Sequence, residues 1–326
     1  MELKKKIVLV VLFIYLLSLL TGCTSLGKGN SGAADPLPSS TPSSTVTATP
    51  FSAMTNTPLI IPPTYTHTPT YTPSATNTPP PTDTPVPTDT PVPTPAPLIE
   101  YGPGERIIAP ILLYHHIADA GYVTRYYVTP DMFRTQLSKL REWGYTPITV
   151  SNLVEVMING GELPARPVVI TFDDGNNDIY DNAFPIMREM GFVGTFYIVS
   201  NRLHSNYYVH AEQIQEMANA GWEIGDHSMS HVDLTLDYSI ARYEILQSRL
   251  DLEAAIGVPI NTFAYPYGKT DVFISNQVSE YGYQAGMGLG RSWEHTLGTL
   301  FYLTRIEVQG NFDLPTFAAL LPWSGK

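Results

Sequence analysis

Val168-Val169-Ile170-Thr171-Phe172-Asp173-Asp174-Gly175 is the stretch that decides how this chain is read. Its first half is apolar and β-branched without a break, the composition of a strand buried on both faces. Two acids and a glycine then stop it in a turn. Outward from it, the same grammar recurs. Ile107 to Tyr114 reads as an earlier buried strand ending at His115-His116. Thr129-Pro130-Asp131 opens a helix with a cap residue, proline and an acid in the first turn, its apolar face being Met132, Phe133, Leu137 and Leu140, and Gly144 ends it. Val150 to Met157 is a second short helix. Downstream, helices over roughly 178–190, 210–220, 238–256, 272–281 and 315–321 alternate with strands at 194–199, 222–225, 262–265, 284–287 and 303–308. Such alternation implies a mostly parallel sheet with crossover helices. The polar motifs fall where strands end, the face on which parallel α/β folds place their sites. Because candidate residues come from at least four strand ends, a barrel is expected rather than an open sheet. No Gly-x-Gly-x-x-Gly follows a strand, so a dinucleotide site has no support.

The second informative stretch is Gly225-Asp226-His227-Ser228-Met229-Ser230-His231. His227 and His231 are related as i and i+4, so in a helical segment both imidazoles face one side. With Asp174 they make two nitrogens and one carboxylate, a set that leaves positions open for water and substrate on a catalytic metal. Asp173, beside Asp174, is placed to accept a proton. Each motif alone is compatible with a plain turn; their joint occurrence after strands points to metal-assisted hydrolysis.

The ends of the chain carry a different message. Lys4, Lys5 and Lys6 precede an apolar run from Ile7 to Leu20, short for a membrane span and suited to a signal segment. Leu20-Thr21-Gly22-Cys23 resembles a bacterial lipobox, and Cys23 is the only cysteine in 326 residues. The expectation is a signal peptide over 1–22 with lipid attached at Cys23. Residues 23–98 then form a tether rich in Thr, Pro and Ser, with Thr82-Asp83-Thr84-Pro85-Val86-Pro87 repeated at 88–93. Such a segment buries too little apolar surface to offset its ordering entropy, and as extended polyproline its stretch from about 31 to 97 spans up to ~200 Å. Residues 99–326 turn globular. The net charge of −12 argues against a nucleic-acid partner. An exported, membrane-anchored monomer with its folded part outside the cytoplasmic membrane is expected.

The segment from Pro167 to Val199, with Thr171-Phe172-Asp173-Asp174-Gly175, Tyr180-Asp181-Asn182-Ala183-Phe184-Pro185 and Gly194-Thr195-Phe196, resembles the polysaccharide deacetylases of carbohydrate esterase family 4, the NodB-homology domain. Gly225 to His231 is similar to that family's second motif, and Phe263-Ala264-Tyr265-Pro266-Tyr267-Gly268 to its third. The likeness runs from about Ile107 to Leu321. It implies a distorted, TIM-like (β/α) barrel with fewer than eight regular strands. It implies a divalent metal, zinc before cobalt, nickel or iron, held by Asp174, His227 and His231, with Asp173 as base and the main-chain N–H of Tyr267 at the oxyanion. The implied reaction removes acetyl groups from an N-acetylhexosamine polysaccharide: poly-N-acetylglucosamine, chitin-like or peptidoglycan.

Two departures mark a branch. Ala264 stands where the family's third motif carries an arginine for the catalytic aspartate, and Arg305 on a late strand is the replacement expected here. The C-terminal Leu-x-His motif has no clear match, since His295 sits in what reads as a loop. Both resemble the poly-N-acetylglucosamine deacetylase branch, where an early Leu-x-Tyr-His supplies the general acid. Leu112-Leu113-Tyr114-His115 fits, which makes His115 the expected acid, ahead of His116. Trp293 and Tyr267 are the expected sugar-stacking residues. Competing readings are an O-acetyl esterase of the same fold, a non-catalytic glycan-binding lipoprotein, and a two-His-one-carboxylate iron oxygenase; the last has no need of Asp173.

Overall fold

The computed structural model describes residues 96–324. The signal segment, Cys23 and the tether up to residue 95 lie outside the described residues. Among those described, no helix is long and apolar enough to cross a membrane.

Eight parallel strands make one sheet: β1 Ile111–Tyr114, β2 Thr146–Ile148, β3 Pro167–Phe172, β4 Thr195–Ile198, β5 Glu223–Asp226, β6 Thr262–Ala264, β7 Ala285–Leu289 and β8 Leu303–Glu307. The order runs β1-β8-β7-β6-β5-β4-β3, and a further β1–β3 pairing closes it into a seven-stranded ring. β2 pairs with residues 167–169 of β3, while β4 pairs with residues 171–172 on the same edge, so β2 is a wedge at the N-terminal end of that seam. The barrel is thus distorted and short of eight ring strands, as expected. β2 itself was not expected: its three residues, Thr-Pro-Ile, centre on a proline that cannot donate to a ladder. The single strand anticipated over 107–114 is broken at Pro110. Its first part, Ile107–Ile108, pairs antiparallel with Glu294–His295, and only its second part enters the ring.

Alternation along the strands creates two cores. One lies between the ring and the helices. The other fills the barrel with Ile111, Val169, Tyr197, Met287 and Leu303, and α2 (Val150–Asn159) closes its N-terminal mouth with Val150, Leu153, Val154 and Met157. Glu223 stitches that closure, accepting from the Ser151 N–H at 2.7 Å, Thr262 Oγ1 at 2.7 Å and Thr195 Oγ1 at 3.2 Å. Burial raises its carboxyl pKa against those donors. Gly225 is required on β5 because a Cβ there would stand 2.3 Å from the Tyr197 ring. On the outside, α1 (Pro130–Glu142) is capped by Thr129, which accepts from the Met132 N–H at 3.3 Å, and buries Phe133, Leu137 and Leu140. One mouth is therefore plugged and the C-terminal rim is left open for chemistry.

The helix expected over 238–256 is not one helix. A 3-10 turn at Tyr238–Ile240 leads into a π-helix, Arg242–Gln247, before an α-helix, Ser248–Ile256. Wide turns of this kind are frequent at functional sites, and this one aims Glu244 inward.

Candidate active site

Asp173 and Asp174 follow β3, His227 follows β5, Tyr267 follows β6, and Arg305 projects from β8. Together with His115 and His116 after β1, and with His231, they line one cleft of about 450 Å³ at the C-terminal rim. Trp293 is not among its lining residues. It packs against the outer core, and its indole N–H donates to the Leu320 carbonyl at 2.8 Å. The expectation that Trp293 stacks on sugar is corrected: the chain turns away from the rim after β7, which puts this aromatic under the C-terminal segment. His295 is fully buried on a short strand, with Nε2 2.9 Å from the Ala109 carbonyl, remote from the cleft.

The convergence of His227 and His231 does not come from a helix. Residues 227–231 are irregular, and Ser228 and His231 both have left-handed backbone, φ 67° and 61°. The loop folds back so that the imidazole centroids stand 4.8 Å apart at 69°. Glu244 holds it in that shape. Its carboxylate accepts from the Ser230 N–H at 2.9 Å and the Ser230 hydroxyl at 2.6 Å, its carbonyl accepts from the Met229 N–H at 2.9 Å, and Ser228 Oγ accepts from the His231 N–H at 2.9 Å. Sequence reasoning missed Glu244, which no motif flags; its only signal is an acid placed on the otherwise buried face of its helix. We expect Glu244→Gln to lower zinc affinity about 10–100-fold, the range for losing a group that orients a metal ligand. Competition with a chromophoric chelator measures this, and an unchanged affinity would show that the loop holds its shape unaided.

Asp174 also has left-handed backbone, φ 74°, a conformation that costs a non-glycine residue and is retained where it aims a functional group. Its Oδ1 is buried and accepts no hydrogen bond from any described residue. His231 Nε2 stands 3.3 Å from that oxygen and His227 Nε2 3.9 Å. His227 Nδ1 lies 2.7 Å from the Ala264 carbonyl. A carbonyl can only accept, so Nδ1 carries a proton and Nε2 is the nitrogen turned to the cleft, free to bind a cation. Burial, then the neighbouring His227, lowers the His231 pKa to about 4. A carboxylate oxygen and two imidazole nitrogens thus converge, and their ligand atoms all lie within 4.8 Å of one another. This donor set fits a divalent cation of the zinc type.

Asp173 is 3% exposed and Arg305 1%. The guanidinium holds the carboxylate by two bonds, Nη1 to Oδ1 at 2.6 Å and Nη2 to Oδ2 at 2.8 Å. Arg305 is itself oriented by Nε donating to the Gly288 carbonyl at 3.3 Å and by the Tyr197 ring, 5.3 Å away. Burial alone would raise the Asp173 pKa, but Arg305, then His227, overrule it and hold the carboxyl down to about 2. Arg305 therefore stands at the position that Ala264 leaves without a charge.

His115 and His116 separate clearly. His116 Nδ1 is 2.7 Å from Asp178 Oδ2, and its ring stacks on Tyr127 at 4.0 Å. His115 has no such tie; its Nδ1 is buried without a hydrogen-bond partner among the described residues, and its ring meets Tyr126 edge-on at 5.0 Å. Burial lowers its pKa, with Asp173, Asp174 and Glu307 opposing. Tyr267 is 57% exposed, has φ 61°, and places its ring 4.7 Å from His231.

Fold and rim together have the build of a hydrolytic barrel. Comparison points to a family. Residues 160–286 match the family model of polysaccharide deacetylases. YxkH of Bacillus subtilis (strain 168), named a putative polysaccharide deacetylase, is 25% identical over 213 residues, covering 65% of this chain and 75% of that protein. A poly-beta-1,6-N-acetyl-D-glucosamine N-deacetylase of Staphylococcus epidermidis is 28% identical over 182 residues, covering 51% of this chain and 63% of its own length. A Streptococcus pyogenes deacetylase, solved in complex with acetate, superposes with a TM-score of 0.60 at 22% identity over 67% of this chain and 99% of that one, a likeness of fold.

Proposed function

We propose that this protein hydrolyses N-acetyl groups on an N-acetylhexosamine polysaccharide, releasing acetate and leaving a free amine, with poly-N-acetylglucosamine as the favoured polymer. The observation that carries the proposal is the meeting of Asp174, His227 and His231 beside a carboxylate fixed by arginine. The staphylococcal relative's name supports the polymer.

Asp174, His227 and His231 hold the cation, zinc in our reading. When bound, it lowers the pKa of a water and polarises the acetamide carbonyl. Asp173 takes the proton from the attacking water; Arg305 keeps it ionised and turned so that it is always an acceptor. The main-chain N–H of Tyr267 donates to the oxyanion, a preorganised contact of the kind that contributes most to such reactions. His115 returns a proton to the departing amine. The exposed Tyr267 ring offers an apolar face to the sugar. The domain acts outside the cytoplasmic membrane as a monomer, tethered through lipid on Cys23.

Acetate release from β-1,6-linked N-acetylglucosamine oligomers, with zinc and with chelator, tests the proposal. Zinc-dependent release is expected. Release from O-acetylated glycans alone would make it an esterase, and bound metal with no release from either would leave a glycan-binding barrel. The acid role has its own test. His115→Ala is expected to lower kcat on oligomers about 100-fold or more with KM and bound metal unchanged. An aryl acetate, whose leaving group needs no proton, should lose far less; equal losses on both would remove His115 from that role.

A further inference from the structure

A second cluster of metal-ligating side chains lies outside the cleft. His204, His210 and Glu212 present ligand atoms that all lie within 4.8 Å of one another, and all three residues are exposed. Nothing in the hydrolytic reading uses them. His204 Nδ1 and His210 Nδ1 stand 3.3 Å apart with the rings at 87°. In the absence of a cation, that separation also allows one ring to donate to the other. It matches the ~3.3 Å expected between two imidazole nitrogens that share one tetrahedral zinc at bond lengths of ~2.0–2.1 Å. His204 adopts φ 64°, and Tyr207 in the same loop φ 71°, so the loop carries conformational cost for bringing its ends together.

We propose that His204 Nδ1, His210 Nδ1 and the Glu212 carboxylate form a second site for a zinc-class divalent cation, and that the cation staples the 204–210 loop. Two imidazoles and one carboxylate, completed by water, suit zinc, copper or nickel rather than magnesium or calcium. The loop is closed at its neck by the His204 N–H donating to the Val209 carbonyl at 3.2 Å. It also backs the acidic turn of the cleft. The Val209 N–H donates to the Gly175 carbonyl at 3.0 Å, and the Asn177 N–H donates to the Tyr207 carbonyl at 2.9 Å. Arg202, just before the loop, faces Asp174 Oδ1 at 3.7 Å and lies over the Tyr208 ring at 5.2 Å. A cation on the outer side of the loop therefore stiffens the support of the inner turn without touching the first site.

The test is zinc stoichiometry in the purified full chain, stripped with chelator and then reloaded. Two equivalents per chain are expected in the wild type, one in the double variant His204→Ala/His210→Ala, and one in Asp174→Ala. One equivalent in the wild type, or two retained in the double variant, overturns the proposal. Because the three side chains are exposed, the double variant should melt as the wild type does in chelator. Glu212→Gln keeps both imidazoles and serves as the second variant, expected to weaken the second equivalent at least 10-fold. Zinc at the second site should also slow proteolysis within residues 200–210 several-fold in the Asp174→Ala protein. An unchanged cleavage rate in that protein would refute the stapling.

Discussion

Asp173→Asn should lower acetate release by about 10²–10⁴-fold, the span for losing a positioned base, while the chain still binds its cation in the cleft. The substitution keeps the size of the side chain and removes its charge. Asp174, His227 and His231 are untouched, so the two properties separate, and metal content measured beside turnover distinguishes them. Stability should fall as well. Arg305 is 1% exposed and would lose its counter-ion; removing one partner from a buried pair costs about 3–5 kcal/mol, with asparagine near the lower end because its oxygen still accepts. A variant that keeps wild-type turnover would remove Asp173 from the proton transfer.

Arg305→Met is the second large effect, and its sign depends on pH. In the wild type the Asp173 pKa is held at about 2 from an ordinary 3.8. A depressed carboxyl contributes stability above its unfolded pKa and loses it as pH falls through the folded value, here between about pH 4 and 2. The difference corresponds to roughly 2–3 kcal/mol at neutral pH. Without the guanidinium, burial dominates and the folded pKa rises above 3.8. The sign then reverses: stability is greatest below the unfolded pKa and is lost as pH rises through the folded one. The gap in melting temperature between wild type and variant should be widest near pH 7 and close on acidification. A gap that stays constant with pH would show that the arginine acts through packing alone. Turnover in the variant should gain an acid limb displaced upward, since the base must now ionise against burial.

Much of this site was legible before any coordinates, because the residues that carry it sit at strand ends and strand ends follow from apolar runs. Val168 to Phe172 could only be a buried strand, and Asp173 and Asp174 could only leave it at a rim. Arg305 was accessible only through the resemblance, because Ala264 stands where the resembled family's third motif carries its arginine and Arg305 is a cation on a late strand. What stayed hidden depends on through-space relations. Spacing of four suggested a helix for His227 and His231, whereas left-handed residues and the Glu244 clamp bring them together. Glu244 lies in a π-turn, and a one-residue widening leaves no mark in periodicity. Trp293 shows the limit of arguing from residue type, since an aromatic suited to sugar is equally suited to covering a core. β2 was too short and too proline-centred to register.

The pair between Asp173 and Arg305 joins residues 132 positions apart. Asp174, His227 and His231 all lie before residue 232, whereas the group that orients the base arrives on the last strand of the ring. During synthesis from the N-terminus, every ligand for the cation in the cleft leaves the ribosome before Arg305 does. The chain consequently gathers its metal-binding residues early and gains an oriented base only when β8 slots between β7 and β1. On the proposed mechanism, closure of the barrel and onset of hydrolytic competence are one event, so a nascent or C-terminally clipped chain would have the ligands of a hydrolase without its activity.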